Sequence, residues 1–327
     1  MKSINIITVD NQHGLTRCSI ILSEVLKNAG FQVSVFTVGK ASIKHKIHRL
    51  TTYIDNFVSN TFRGKPPYDI NIFIQDIVPS WLPYARFNCL LPMPEWFRDD
   101  GVSLLTNFDC ILCCTKLTQE IFHKLGCKTE YISFTSLDQY EQKISKNYDK
   151  FFHLAGSNAS QKGTKTLIEV WSRHPEWPSI IVRQKKQPFH ICAPNIEYIT
   201  NFLSDEILHQ YQNTFGIHLC PSEVEGFGHY IVEGMSTKAV IITTNAPPMN
   251  ELITSERGLL ANYFQTKSQK LGTRYSVYPQ ALEEKIEEVL GMSYETKKQL
   301  GENARNWYLD NDTFFRQRLV EVLKNLD

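Results

Sequence analysis

The amino-acid sequence predicts an α/β protein made of two doubly wound domains, and three observations carry this prediction. The length of 327 residues favours two domains of ordinary size. Both halves of the chain begin with a short apolar strand, a glycine-bearing loop and an amphipathic helix, which is how a doubly wound domain begins. Residues 219–252 then show a strand, a Gly-rich turn, a helix and a β-branched strand, in the order of a βαβ unit. We therefore expect two α/β domains that face each other.

The first predicted domain covers residues 1–140. Its first strand, residues 4–9, ends at Asp10, and a loop containing Gly14 leads into a helix over 15–29. The remaining predicted elements are strands over 31–38, 69–75, 87–91, 110–114 and 130–134, and a helix over 116–125. A polar, irregular stretch at 139–150 predicts the domain boundary.

The second predicted domain covers residues 150–310. Strands are expected over 151–155, 179–183, 190–192, 196–200, 217–220 and 240–244, and helices over 164–173, 204–211, 229–237 and 281–290. Ser204 is the expected N-cap of the second of these helices. A last amphipathic helix over 314–326 lies in a C-terminal segment, residues 311–327, with Asp310 or Asp312 as its expected N-cap.

Composition narrows the class of protein. Apolar residues make up 42% and charged residues 21%, and the net charge of +1 gives no global field for nucleic acid. The N-terminus lacks a signal-peptide pattern, and no apolar run reaches the ~18 residues that span a bilayer. Cys110 and Cys113 have the spacing of zinc ligands but no second pair, so the eight cysteines are expected to be free, mostly buried thiols. These features predict a cytoplasmic protein, with peripheral contact at the inner membrane face as an option.

Residues 40–66 carry a local surplus of positive charge. The basic side chains are Lys40, Lys44, Lys46, Arg49, Arg63 and Lys65, and the single acid is Asp55. Two interpretations account for this pattern equally well. One is a solvated helix face, and the other is a surface that binds anionic lipid headgroups or nucleic acid.

The second half resembles a family of known enzymes through a set of motifs in one order. The motifs are Ala155-Gly156 with Lys162-Gly163, Tyr198 to Leu203 before Ser204-Asp205-Glu206, Pro221-Ser222, Glu225-Gly226-Phe227-Gly228 with Glu233-Gly234-Met235-Ser236, and Ala246-Pro247-Pro248-Met249-Asn250-Glu251. Over residues 151–262 the chain is similar to the retaining glycosyltransferases of family GT4, the glycosyl transferases group 1. The resemblance implies the GT-B fold, which consists of two Rossmann-like domains facing across a cleft. It also implies that the C-terminal helix packs back on the N-terminal domain.

The resemblance assigns roles to residues around the donor, a nucleotide sugar carrying UDP or GDP. Glu233 accepts hydrogen bonds from the ribose hydroxyls, and Glu225 lies by the donor sugar and its reacting carbon. Lys162 neutralises the departing diphosphate. The remaining predicted donor contacts are the backbone of Gly226, Phe227 and Gly228, and residues Ser157, Tyr198 and Glu251. No metal and no further cofactor is expected, because cations and the helix dipole serve the diphosphate.

The chain departs from the family pattern at two places. The loop before Lys162 has no arginine, so Ser157, Asn158 and backbone N–H groups, or Arg183 or Lys185 from the next strand, are the candidates to replace it. In the first domain the family's histidine is absent. Gly14, Asp10 and Glu95 are the candidates on the acceptor side, and Glu95 as an exposed turn residue is an equal alternative.

The predicted function is transfer of a sugar from a nucleotide sugar to an acceptor hydroxyl with retention of configuration. The first acceptor class is a lipid-linked or surface glycan. One alternative is the same chemistry on a nucleic acid base. Two others are an inactive GT-B scaffold with a binding or regulatory role, and an epimerase or phosphorylase-like enzyme that shares the fold.

Overall fold

The computed structural model describes residues 1–10, 14–38, 65–156, 159–185, 189–201 and 203–326. The chain divides into two compact units. Unit 1 consists of Met1–Phe134 and Phe314–Asp327, and unit 2 of Thr135–Thr313. The polar stretch after Phe134 belongs to unit 2, because it is hydrogen-bonded there: the amide of Gln139 donates to Ser236 Oγ over 3.0 Å, and the amide of Glu141 donates to Asn213 Oδ1 over 2.9 Å.

Unit 1 contains a six-stranded parallel sheet in the order β2-β1-β3-β4-β5-β6. Its strands are β1 Ser3–Val9, β2 Gln32–Val38, β3 Tyr68–Ile74, β4 Ala85–Leu91, β5 Cys110–Cys113 and β6 Thr129–Tyr131, and its helices include α1 Gly14–Asn28 and α2 Lys116–Lys124. The interior strands are nearly continuous apolar runs, as buried parallel strands are. Strand order reverses between β1 and β3, which is where α/β sheets bind ligands.

Unit 2 contains a second six-stranded parallel sheet in the order β12-β11-β10-β7-β8-β9. Its strands are β7 Asn147–Gly156, β8 Ile180–Gln184, β9 Ile196–Ile199, β10 Phe215–Cys220, β11 Val240–Thr244 and β12 Gly258–Ala261, and its helices include α3 Thr164–Ser172, α4 Asp205–Thr214, α5 His229–Ser236, α6 Met249–Leu252 and α7 Pro279–Gly291. Numbered within the unit, this is the doubly wound order 3-2-1-4-5-6. The strand order reverses between β7 and β10.

One face of this second sheet packs on α3 and α7 to form a continuous apolar core. Phe151, Trp171 and Leu282 are fully buried in it, with alternate residues of β8 and β10 pointing the same way. Ser204 caps α4, as expected, by accepting the amide of Ile207 over 3.3 Å.

The strands of unit 2 differ from the sequence prediction in two regions. The expected strand at 190–192 does not form, because Tyr198 binds both backbone groups of Ile191 and occupies them. An antiparallel hairpin that the sequence did not predict, β13 Tyr263–Gln269 and β14 Gly272–Val277, follows β12. Its polar, mostly exposed first strand has no apolar alternation to reveal it.

The last helix, α8, runs without a break over Tyr294–Lys324. The prediction of an N-cap at Asp310 or Asp312 is therefore wrong, since both residues lie inside the helix, where no proline or glycine interrupts the run after Gly301. The final turns belong to unit 1, and within that unit the ring of Phe315 lies 4.7 Å from that of Phe134. Among the helices of the described residues, none is both long and apolar enough to cross a membrane.

Candidate active site

The strand order of unit 2 brings Lys162 and Glu225 together. Lys162 follows β7 and Glu225 follows β10, the two strands that flank the point where the order reverses. Because the strands are parallel, both loops leave the same edge of the sheet. The Lys162 ammonium is in direct contact with Glu225 Oε1, although the residues are 63 positions apart in the chain. Both side chains are mostly buried, with 19% and 10% of their surface exposed.

Ser222 and Tyr230 also contact this ion pair. Ser222 Oγ donates to Glu225 Oε1 over 2.5 Å and lies 2.5 Å from the hydroxyl of Tyr230. The Lys162 ammonium sits 4.0 Å from the centroid of the Tyr230 ring. No sequence pattern pointed to Tyr230, because an aromatic residue in the first turn of a short helix usually packs against the core.

The glycine-rich loop ends at the start of α5. Gly228 is the N-cap residue with φ +102°, a left-handed conformation that favours glycine, and a Cβ there would lie 3.0 Å from Leu252 Cδ1. Phe227 is buried and makes an edge contact with His229, whose Nδ1 lies 2.8 Å from Ser136 Oγ. The loop is thus fixed on both sides, and the positive end of α5 opens beside Glu225 and Gly226.

Glu233 lies on α5 and is 2% exposed. Gln212 Nε2 donates to its Oε2 over 3.2 Å, and Ser236 Oγ donates to its backbone carbonyl over 2.7 Å. The sequence placed Glu233 on the helix correctly but had no means of identifying Gln212 as its neighbour on α4.

His153 supports the Lys162 loop from within the sheet. Its Nδ1 lies 2.7 Å from the carbonyl of Leu219, so Nδ1 carries the proton, and its Nε2 lies 2.8 Å from Thr164 Oγ1 at the start of α3. Burial lowers the pKa of His153 to about 4, and the positive charge of Lys162 acts in the same direction. His153 is therefore neutral, and its two hydrogen bonds link β7 to β10 and to the helix that follows Lys162.

Arg274 of the hairpin reaches the same two loops, which the sequence did not reveal. Its guanidinium forms an ion pair with Glu223, and Nη2 donates to the carbonyl of Ser160 over 2.5 Å. The amide of Tyr275 donates to the carbonyl of Glu223 over 2.7 Å. The hairpin therefore ties the loop after β7 to the loop after β10.

The residues proposed to replace the missing arginine differ in whether the structure describes them and in how exposed they are. Ser157 and Asn158 lie outside the described residues. Arg183, at the end of β8, has a buried Nη1 with no hydrogen-bond partner among the described residues, and burial lowers the pKa of its guanidinium. Lys185 is exposed, and its amide donates to the carbonyl of Gly156 over 2.9 Å.

Two further predicted donor residues have local roles in the fold. The Tyr198 hydroxyl donates to the carbonyl of Ile191 over 3.1 Å and accepts its amide, and burial raises the pKa of this phenol. Glu251 lies in α6, half-buried, with its amide donating to the carbonyl of Pro248.

The acceptor-side candidates all lie at the carboxyl edge of the unit 1 sheet. Asp10 is exposed and accepts from Thr16 Oγ1 over 2.8 Å. Gly14 begins α1, and a Cβ there would meet no atom of the described residues within 4 Å. Glu95 is 3% exposed, so the reading of it as an exposed turn acid is wrong: the turn Pro94–Trp96 directs it inward.

Gln75 was missed at this edge. It follows β3 with φ +66°, is buried, and its Oε1 accepts the amide of Met93 over 2.7 Å. The basic segment at 40–66 lies outside the described residues except for its last two positions.

Solved structures with low sequence identity share this architecture along their whole length. A sucrose-phosphate synthase from Thermosynechococcus elongatus is 15% identical with a TM-score of 0.71, covering 100% of this chain and 99% of that one. A glycosyltransferase from Rickettsia africae is 14% identical with a TM-score of 0.72, covering 99% of each chain. HepE from Anabaena, solved with UDP and glucose, is 13% identical with a TM-score of 0.67, covering 100% of each chain. No curated protein sequence matches this chain.

Two Rossmann-like units, each built on a parallel sheet, give this chain the GT-B fold of solved glycosyltransferases. The family described as glycosyl transferases group 1 matches residues 138–307, more than half of the chain, and the chain belongs to that family.

Proposed function

We propose that this protein transfers a sugar from a nucleoside diphosphate sugar to an acceptor hydroxyl with retention of configuration. The meeting of Lys162 and Glu225 at the topological switch point, beside the start of α5, carries the proposal. A cation and a helix N-terminus at one point suit a diphosphate, and they stabilise the negative charge that develops on it as the glycosidic bond breaks. The presence of UDP and glucose in the Anabaena structure supports a UDP-linked donor.

Each site residue has a distinct role in this proposal. Glu233 binds the ribose, Glu225 lies by the donor sugar, and Lys162 neutralises the leaving diphosphate. In the structure Glu225 is the partner of Lys162, so the incoming diphosphate takes over the lysine and frees the carboxylate for the sugar. The acceptor hydroxyl attacks from the face on which the diphosphate leaves, and the leaving phosphate takes its proton.

A panel of UDP- and GDP-linked sugars, scored by nucleotide release, tests the proposal. Lys162→Ala should lower kcat by about 10²- to 10³-fold, the size of effect seen when one stabilising group is removed from a developing anion. Glu233→Ala should mainly raise the KM for the donor. Lys165→Ala, which removes an exposed lysine of α3 that lies 3.8 Å from Glu169, is the control and should behave as wild type.

Two results would contradict the proposal. If wild type released no nucleotide from any donor, the inactive-scaffold alternative would take its place. If wild type were active but Lys162→Ala and Glu233→Ala retained full activity, the site assignment would be wrong.

The acceptor is proposed to be a lipid-linked or surface glycan, the role implied by the family resemblance. Comparing lipid-linked glycan with duplex DNA as acceptor in the same panel separates this class from transfer to a nucleic acid base.

A further inference from the structure

We propose that Tyr230 is a positioning residue that keeps Lys162 at the site when the donor displaces Glu225, and this inference rests on the function proposed above. The ring of Tyr230 faces the Lys162 ammonium, with 4.0 Å from Nζ to the ring centroid. Its hydroxyl lies 2.5 Å from Ser222 Oγ, which in turn holds Glu225. The ring of Tyr230 thus contacts Lys162 directly, and its hydroxyl is linked to Glu225 through Ser222.

The direction of the hydrogen bonds follows from the number of hydrogens. A carboxylate can only accept, so Ser222 donates its single hydroxyl hydrogen to Glu225. Tyr230 must therefore donate to Ser222, which requires a protonated phenol. Burial, with the neighbouring Cys220 and Glu225, raises the pKa of Tyr230 well above its ordinary value, so the phenol remains a donor across the physiological pH range.

Lys162 needs a second contact because its partner in the structure, the Glu225 carboxylate, carries the same sign of charge as the donor's diphosphate. The free site already pairs Lys162 with Glu225, and an incoming diphosphate competes with that carboxylate. A long lysine side chain released from its ion pair regains rotamer freedom, which weakens its contact with the phosphates. The aromatic face of Tyr230 is neutral, so the donor does not compete for it.

The position of Tyr230 is fixed by α5 rather than by the loop that carries Glu225. Tyr230 lies in the first turn of the helix, where the amides of Ile231 and Val232 both bond to the carbonyl of Gly228. The Glu225 side chain can turn away from Lys162 about its own torsions while the ring stays in place. The ring therefore holds Lys162, and the hydroxyl holds Ser222 and Glu225.

The two roles predict different effects for two substitutions. Tyr230→Phe keeps the ring and should leave the Kd for UDP within about twofold of wild type, while lowering kcat because Glu225 loses its support. Tyr230→Leu removes the ring and should weaken UDP binding by about 2- to 30-fold, the range of a cation–π contact in an equilibrium constant. Ser222→Ala should reproduce the kcat loss of Tyr230→Phe, and the double variant should lose no more than either single one.

Lysine NMR tests the geometry without any donor. Lys162 is assigned in ¹³C-lysine spectra through Lys162→Arg, and the ring should shift its ε-methylene protons upfield. That shift should persist in Tyr230→Phe and disappear in Tyr230→Leu. Tyr148→Phe, which removes a buried hydroxyl donating to the carbonyl of Lys238 over 3.0 Å, is the control: it should lower Tm but change neither the Lys162 shift nor kcat.

An unchanged Lys162 shift in Tyr230→Leu overturns the inference whatever the enzyme's activity. So does a Tyr230→Leu variant with wild-type UDP affinity and turnover. A wild type that releases no nucleotide contradicts the proposed function instead, and the NMR comparison still decides whether Tyr230 positions Lys162.

Discussion

Two buried histidines in unit 2 link its stability to pH. His153 and His218 lie on neighbouring strands, and burial lowers the pKa of His153 to about 4 and that of His218 to about 3. In both cases the neighbouring positive charge of a lysine, Lys162 or Lys146, lowers the pKa further. Both side chains are therefore neutral in the folded protein at pH values where the unfolded chain would protonate them.

Because both pKa values are lowered on folding, the protein should become less stable as the pH falls. A histidine with a depressed pKa binds its proton more readily when unfolded, so its contribution to stability is complete above pH 6.5 and is lost as the pH falls towards 4. For His153 the expected loss between pH 7 and pH 5 is about 2 kcal/mol. Thermal melts at the two pH values should show a clear drop in Tm for wild type.

His153→Gln isolates this contribution. Glutamine can still donate to the carbonyl of Leu219 but does not titrate, so the variant should lose less Tm between pH 7 and pH 5 than wild type does, while His218 still contributes a loss. His123→Gln, which changes an exposed side chain, is the control. Equal Tm losses in wild type and His153→Gln would show that His153 is not the titrating group.

At the level of elements, the approach of two loops depends on one glycine. Gly163 is the N-cap residue of α3 with φ +64°, and a Cβ there would lie 2.1 Å from the carbonyl oxygen of Pro221. No real Cβ approaches a backbone oxygen so closely, so an added methyl group must push the loop after β7 away from the end of β10. Lys162 would move with it.

Gly163→Ala should therefore reduce both stability and sugar transfer. The left-handed conformation alone costs about 1–2 kcal/mol for alanine, and the steric clash adds to that. Gly291→Ala is the matched control, because in the part of the chain that the structure describes a Cβ at this last residue of α7 meets nothing within 4 Å, and alanine favours the helix. Denaturant melts and nucleotide release measure both effects, and a Gly163→Ala variant as stable and active as wild type would contradict the close approach.

The ion pair between Arg274 and Glu223 shows why some site residues could not be predicted. The motifs of the loops after β7 and β10 were visible in the sequence, since glycines, prolines and carboxylates mark such loops. The hairpin that supplies Arg274 has exposed polar side chains and no apolar period, and its partner Glu223 is 51 positions away. Only the folded chain brings these two charges together.

At the scale of the whole molecule, the end of α8 is part of unit 1. Phe315, Leu319 and Leu323 are fully buried, and Arg318 Nη2 forms an ion pair with Glu130 over 2.6 Å. The Lys2 ammonium donates to the carbonyl of Leu326 over 2.7 Å, which joins the two ends of the chain. Unit 1 therefore needs the C-terminal segment for its core.

Phe315→Ala should destabilise unit 1 by about 3–5 kcal/mol, the usual cost of removing a buried phenylalanine. Phe314→Ala is the matched control: its ring is 42% exposed and lies 5.9 Å from that of Tyr131, so its removal should cost far less. Denaturant unfolding, monitored by hydrogen exchange of the backbone amides in β1 and β3, measures the loss of unfolding free energy in each variant. Equal losses for the two variants would mean that Phe315 is not part of the core.

The sequence by itself determined the alternation of strands, loops and helices and the residue types of the donor-side loops, because periodicity, caps and turn residues are local properties of the chain. It also carried the ordered motifs by which the family is identified. It did not determine that β7 and β10 are neighbours, because strand order depends on how whole helices and strands pack together. That order places Glu225 and Tyr230 beside Lys162. The hairpin after β12 brings Arg274 to Glu223, and in unit 1 the turn Pro94–Trp96 directs Glu95 inward. Only the tertiary structure decided these contacts, since each joins elements that are far apart in the sequence or faces that its local pattern does not specify.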